Sequence, residues 1–185
     1  MPHRVCPWWL GYLLASPLRR LMQNPSEMVA PHVRDGMTVL EPGPGMGFFT
    51  LEMARRVGPS GRVVAVDIQP RMLAALDRRA RKAGLADRIE LRLAQPDSMP
   101  LDGLDGAVDF VLACFMVHEL PNQARFFSQV AAAMTPGGSL LLVEPAGHVK
   151  PPDFDEELKV AADAGLVLAG RPSIGHSRAA LLKKA

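Results

Sequence analysis

Val39-Leu40-Glu41-Pro42-Gly43-Pro44-Gly45-Met46-Gly47 is the stretch whose reading decides the fold. An aliphatic run ends in an acid, three glycines follow at alternate positions, and from Phe48 the apolar residues return at helical spacing. Gly43 and Gly45 take away Cβ atoms where a ligand must approach the main chain, and the helix that follows offers N–H groups with no partner inside it. The next aliphatic run, Val63-Val64-Ala65-Val66, closes on Asp67, twenty residues beyond Gly47. An acid at the end of the second strand of such a unit accepts from a pair of ribose hydroxyls.

Outward from this unit the alternation continues. Short β-branched and aliphatic runs at 37–40, 62–66, 88–93, 108–113, 139–143, 166–169 and 179–182 predict strands. Helices are predicted at 48–57, 70–83, 121–134 and 154–164, each bounded by Gly or Pro. Repeated strand–helix alternation means a mostly parallel sheet covered on both faces. The last two strands are joined only by residues 171–178, too short for a helical crossover, so they form an antiparallel hairpin. The expected class is therefore α/β: a doubly wound, Rossmann-like, seven-stranded sheet with an antiparallel last strand, preceded by an N-terminal helical segment.

The chain has 185 residues, room for one core. With 48% hydrophobic and 22% charged residues, neither a disordered chain nor a multi-span membrane protein fits. A net charge of +2 is too mild for a protein that binds nucleic acid mainly by neutralising phosphates, and none is expected as a partner. Cys6 and Cys114 make neither a disulfide framework nor a zinc pattern, and a reducing cytoplasm is the natural compartment. The apolar run from Val5 to Ala15 is interrupted by Pro7 and lacks a small-residue cleavage site, which argues against a secretory leader. It is about half the ~20 residues needed to cross a bilayer, so stable membrane insertion is not expected.

Residues 1–36 stand apart from 37–185 as helical pieces punctuated by Pro7, Pro17, Pro25 and Pro31, with Ser16-Pro17 and Asn24-Pro25 as N-cap and first-turn pairs. Trp8, Trp9 and Tyr12 lie within five residues of one another. A segment so loaded covers something apolar, and it is expected to be the lid of the substrate pocket. A plain cap on the sheet, or an interfacial contact through Trp8 and Trp9, stands as the alternative.

The glycine loop separates two kinds of nucleotide cofactor. A dinucleotide turn wants G-x-G-x-x-G, whereas here Phe48 follows Gly47 and Glu41 stands two residues ahead of the first glycine. Glu41 is a poor neighbour for a pyrophosphate and a good one for an ammonium group. The E-x-G-x-G-x-G loop, the acid after the second strand and Thr135-Pro136-Gly137-Gly138 before the fifth strand together resemble the class I S-adenosylmethionine-dependent methyltransferases of small-molecule type, over about residues 37–145. That resemblance implies S-adenosylmethionine as cofactor. It places Gly43, Pro44 and Gly45 at the methionine part, Glu41 at the amino end, Asp67 at the ribose, Ile68 and Met72 on adenine, and Ala113 at the cofactor as well. Gln95 stands where the family often has an acid; its amide oxygen can accept from the adenine amino group, whereas Pro96 has no N–H to give the ring.

Ligands of such sheets sit beyond the carboxyl ends of the strands, so the acceptor should meet the residues after the fourth and fifth. These are Cys114-Phe115-Met116-Val117-His118-Glu119 and Glu144-Pro145-Ala146-Gly147-His148. Neither contains the N-P-P-Y type of sequence used on amide and exocyclic nitrogens of proteins and nucleic acids, so a small, partly apolar acceptor is expected. Where the acceptor arrives protonated, a neutral imidazole suits the proton, which makes His118 the first candidate base and His148 the second. A packed imidazole is the competing reading of both. Convergence of Cys6, Cys114, His118 and His148 on a soft metal is weighed against the use of Cys as a small buried hydrophobe, and no metal is expected. A non-catalytic cofactor-binding or sensor domain, and an RNA methyltransferase using the basic Arg78-Arg79-Ala80-Arg81-Lys82 helix, remain as alternatives.

Overall fold

The computed structural model describes residues 24–185. The expectations attached to Cys6, Trp8, Trp9, Tyr12 and Ser16-Pro17, and most of the proposed lid, lie outside these residues. Asn24 caps the first helix as the sequence suggests: its Oδ1 accepts from the Ser26 N–H at 3.1 Å and Pro25 opens α1 (Pro25–Val29). Val29 and Val33 are buried in the same core as the sheet.

The elements then follow as β1 (Thr38–Pro42), α2 (Thr50–Arg56), β2 (Arg62–Asp67), α3 (Pro70–Lys82), β3 (Ile89–Leu93), β4 (Val108–Cys114), α4 (Gln123–Ala133), β5 (Met134–Pro145), α5 (Pro151–Asp163), β6 (Leu166–Gly170) and β7 (Ser177–Lys184). They build one seven-stranded sheet in the order β3-β2-β1-β4-β5-β7-β6. β1 pairs parallel with β2 and β4, β2 with β3, and β4 with β5, while β7 runs antiparallel between β5 and β6. The expected α/β sheet with its antiparallel last strand is thus present. The closing hairpin does more than fold back, since its second strand enters the sheet and leaves β6 at the edge.

Alternation of side chains across the pleat divides the core in two. Leu40, Val64, Val111 and Leu142 face α4 and α5, meeting Phe127, Val130 and Phe154. Val39, Val63, Ala65, Phe110 and Leu141 face the other way, meeting Val29, Phe49, Met53 and Leu76 from α1, α2 and α3. Burial on both faces is why β2 reads as an unbroken aliphatic run and not as an alternating one.

Element boundaries shift where a cap or a bulge overrides the periodicity. α4 begins two residues later than expected because the Asn122 side chain caps it, accepting from the Arg125 N–H at 2.9 Å. α5 begins three residues earlier, because Pro151 and Pro152 occupy the first turn, where a missing N–H costs nothing. β5 starts at Met134, opposite Val108, and the Pro136-Gly137-Gly138 corner is absorbed as a register shift before Ser139 pairs with Phe110. Among the described residues no helix is long and apolar enough to cross a membrane.

Candidate functional site

The loop after β1 is held by its neighbours at the carboxyl end of the sheet. Gly43 and Gly45 adopt φ of 67° and 54°, values that a residue with a Cβ rarely takes. The Gly43 N–H donates to the Val66 carbonyl at 2.8 Å, which fixes the loop to the end of β2. A Cβ on Gly43 would come within 3.2 Å of the Met116 side chain, whereas one on Gly45 would meet nothing within 4 Å among the described residues. Glu41 is buried at the end of β1, where its Oε2 accepts from the Thr50 hydroxyl at 2.5 Å. Thr50 therefore belongs to the site, although its place at the start of an amphipathic helix gave no functional signal.

Asp67 ends β2 almost out of solvent. Its Oδ1 accepts from the Gln69 N–H at 2.8 Å and its Oδ2 from the Gly45 N–H at 3.3 Å. Burial pushes its carboxyl up to about 6; the N–H groups of Gln69, Gly45 and Ile68 pull against that, and the charge of Glu119 adds to it.

These residues surround one cavity. Glu41, Gly43, Pro44, Gly45, Asp67, Ile68, Met72, Gln95 and Pro96, each singled out in the sequence, all line it. Gln95 and Pro96 lie in a tight turn closed by the Gln95 N–H on the Ser98 carbonyl at 2.9 Å. The remaining wall is largely apolar, with Phe48, Phe49, Phe115 and Met116, and Glu119 also reaches the lining. Ala113 departs from expectation: it is fully buried in the core, and its neighbours Leu112 and Cys114 line the cavity, because successive side chains of β4 point to opposite faces.

His118 and His148 are brought together, with ring centroids 6.0 Å apart, but neither lines this cavity, nor do the other residues that follow β5. The cause is Glu144, fully buried at the end of β5. Its Oε1 accepts from the main-chain N–H groups of Val117 and His118, at 2.9 and 3.3 Å, and its Oε2 lies 2.5 Å from His118 Nδ1. That carboxylate fixes the imidazole in place and holds its pKa above the ordinary value. It also holds the loop in which Phe115, at φ 61°, is the one non-glycine residue of positive φ among the described residues. Glu157 is buried nearby: its Oε1 accepts from Gln123 Nε2 at 3.4 Å, and its Oε2 has no partner among the described residues. Burial, and then the charge of Glu144, push it up to about 7. Glu157 was not a candidate from sequence, and Glu144 was named only as part of the segment expected to meet the acceptor; an acid closing an aliphatic strand, as Glu41 closes β1, was the signal for singling it out. Among the described residues no group of His, Cys, Asp and Glu is arranged to hold a metal ion.

Comparison with known proteins agrees with this geometry. The profile of a methyltransferase domain matches residues 39–138. The chain is 29% identical over 141 residues, 76% of its length, to an arsenite methyltransferase of Halobacterium salinarum, of which it covers 34%. It is 32% identical over 112 residues, 60% of its length, to a ubiquinone/menaquinone biosynthesis C-methyltransferase of Hahella chejuensis, of which it covers 44%. The chain thus spans less than half the length of these curated relatives. Its fold matches a crystal structure of a SAM-dependent methyltransferase from Aquifex aeolicus with a TM-score of 0.86 at 24% identity, covering 98% of this chain and 100% of that one. With the profile spanning more than half of its residues, the chain belongs to the methyltransferase-domain family, the class I S-adenosylmethionine-dependent methyltransferases.

Proposed function

We propose that this chain transfers a methyl group to a small, partly apolar acceptor. The observation that carries the reading is the single cavity in which the glycine loop, Asp67 and an apolar wall meet at the carboxyl ends of β1, β2 and β4. Its residues fit the family's cofactor: the space over Gly45 admits a ligand against the main chain, Asp67 is a buried acceptor, and Ile68 and Met72 give a base an apolar face. S-adenosylmethionine supplies, when bound, an electrophilic methyl group on a sulfonium. Glu41, itself oriented by Thr50, is assigned the ammonium end of that molecule. Asp67, held by two main-chain N–H groups, is assigned the ribose hydroxyls. Gln95 presents a side-chain amide to the base, where Pro96 has no N–H to offer. Phe48, Phe49, Phe115 and Met116 keep water from the reacting centre and give an apolar acceptor its contact area. His118 is fixed by Glu144 beside this cavity, so any part it takes in accepting a proton runs through the groups between them.

The test is calorimetric binding of S-adenosylhomocysteine, followed by product formation from labelled cofactor against thiols, phenols, quinols and amines. Micromolar binding with label transferred to one class supports the reading. Binding with no transfer to any of them leaves a non-catalytic cofactor-binding domain, and absence of binding overturns both.

A further inference from the structure

We infer that His118 and Glu144 are positioning residues for methyl transfer: together they clamp the stretch after β4, from Phe115 to Leu120, that forms one wall of the cavity; this rests on the methyl-transfer reading above. The stretch has two sides. Cys114, Phe115, Met116, Glu119 and Leu120 line the cavity, whereas Val117 and His118 between them do not. Val117 is fully buried in the core that holds Phe126 and Phe127 of α4. His118 turns its ring to the end of β5, where Glu144 accepts three donors at once: the main-chain N–H groups of Val117 and His118, at 2.9 and 3.3 Å, and the ring at 2.5 Å. The Val117 carbonyl accepts from Gln123 Nε2 at 3.2 Å, and Gln123 in turn donates to the buried Glu157. The wall is thus gripped from outside the space it encloses.

Two features show why it needs the grip. Phe115 keeps φ at 61°, a conformation that persists in a residue with a Cβ only where the surroundings over-determine it, and its N–H donates to the Val143 carbonyl at 2.8 Å, one residue before Glu144. Met116 lies so close to the glycine loop that a Cβ on Gly43 would come within 3.2 Å of its own Cβ. Any shift of the wall is therefore felt by the loop assigned to the cofactor. The clamp does not require His118 to change its charge, because the neutral ring with its proton on Nδ1 and the imidazolium both donate to Glu144. That hydrogen bond holds the ring's pKa above its ordinary value against the pull of burial, and the charges of Glu144, Glu119 and Glu157 add to it, so near neutrality less of the ring is free to accept a proton. Taking the ring away leaves Oε2 of a fully buried carboxylate without that donor, a loss the segment can relieve only by moving.

Asparagine separates positioning from proton transfer, since it keeps an amide N–H in the place of Nδ1 and cannot take up a proton. The full chain, His118→Ala and His118→Asn are titrated with S-adenosylhomocysteine by calorimetry at pH 7.5, and amide hydrogen exchange over residues 115–120 is followed by mass spectrometry. His118→Ala should bind about tenfold more weakly, the scale of one lost hydrogen bond to a charged group, and should exchange faster over 115–120 while β2 and α3 keep the wild-type rate. His118→Asn should bring affinity back to within about threefold of wild type and restore the slow exchange. Wild-type affinity in a folded His118→Ala would show that the wall stands without the ring and would overturn the inference. So would a folded His118→Asn that binds about tenfold more weakly than wild type, an outcome that decides the matter alone should the alanine variant not fold. A wild-type chain that does not bind S-adenosylhomocysteine would instead overturn the reading on which the inference rests.

Discussion

The main-chain N–H of Gly45 donates to Oδ2 of Asp67 at 3.3 Å, so the acid that ends β2 is bonded to the turn that follows β1. Two features that lie twenty-two residues apart in the chain form one unit, and the loop and the carboxylate are ready for a ligand together. The second oxygen, bonded to Gln69, fixes the plane of the carboxylate.

Cofactor binding should therefore depend on pH through Asp67. Its carboxyl sits at about 6 because of burial, and hydroxyl donors favour the ionised form. Affinity for S-adenosylhomocysteine should be level above pH 7 and fall as pH drops through 6, approaching about tenfold per unit in the acid limit. Asp67→Ala should weaken binding by about 2 kcal/mol at pH 7.5 and remove that acid limb. Calorimetry at pH 5, 6 and 7.5 on both proteins decides it, and an Asp67→Ala variant with wild-type affinity would end the ribose assignment.

Gly45 and Gly47 should respond differently to the same added methyl group. An alanine at 45 pays for its positive φ, about 1 kcal/mol, and its Cβ meets no atom of the described residues where the cofactor is proposed to lie. Gly45→Ala should fold with a small drop in Tm and bind S-adenosylhomocysteine poorly. At Gly47, with φ 83°, a Cβ would run into the Leu76 side chain in the core, so Gly47→Ala should lose more stability than Gly45→Ala. Thermal melts of the two variants side by side make the comparison.

Stability should decline as pH rises from about 4.5 to about 7 because of Glu157, and then level off. Its folded pKa is raised from 4.5 to about 7 by burial, so the folded chain holds that proton more tightly than the unfolded chain does. The contribution is complete below about pH 4.5 and is lost as pH rises through 7. Glu157→Gln keeps the shape without the charge and should raise Tm at pH 8 by about 3 °C, on the order of 1 kcal/mol, with little gain at pH 5. Equal shifts at both pH values would show that the carboxyl is not titrating in this range.

Removing the Thr50 hydroxyl should cost more than its size suggests. Thr50→Val preserves the branched shape but withdraws a donor from a buried carboxylate, which costs about 1–3 kcal/mol. Urea unfolding should show a lower midpoint with an unchanged slope, and S-adenosylhomocysteine should bind more weakly because Glu41 loses its orientation.

That the glycine loop, Asp67, Ile68, Met72, Gln95 and Pro96 would share one cavity was legible in the sequence, because these residues are tied to local structure. A turn with three alternating glycines, and an acid closing an aliphatic run, mark positions that the fold then has to bring together. The surroundings of His118 were not legible in the same way. His118 stood out as an imidazole after a strand, but nothing local told that Glu144, twenty-six residues on and one strand over, would bind its ring and two main-chain N–H groups. In the sheet the sequence periodicity placed all seven strands, while the insertion of β7 between β5 and β6 rests on long-range pairing that no window of residues contains.

That insertion bears on how the chain is made. Among the described residues β6 is paired only with β7, and β7 pairs with β5 through seven residues from Ser139 to Pro145. A ribosome that has delivered everything up to residue 176 has produced the parallel strands and the glycine loop, yet β5 lacks its antiparallel neighbour and β6 has not met β7. The sheet completes only when residues 177–184 have cleared the exit tunnel and threaded between two strands already synthesised. During that interval the aliphatic run Leu140-Leu141-Leu142-Val143 stands at an open edge, a template for unwanted strand pairing until β7 covers it.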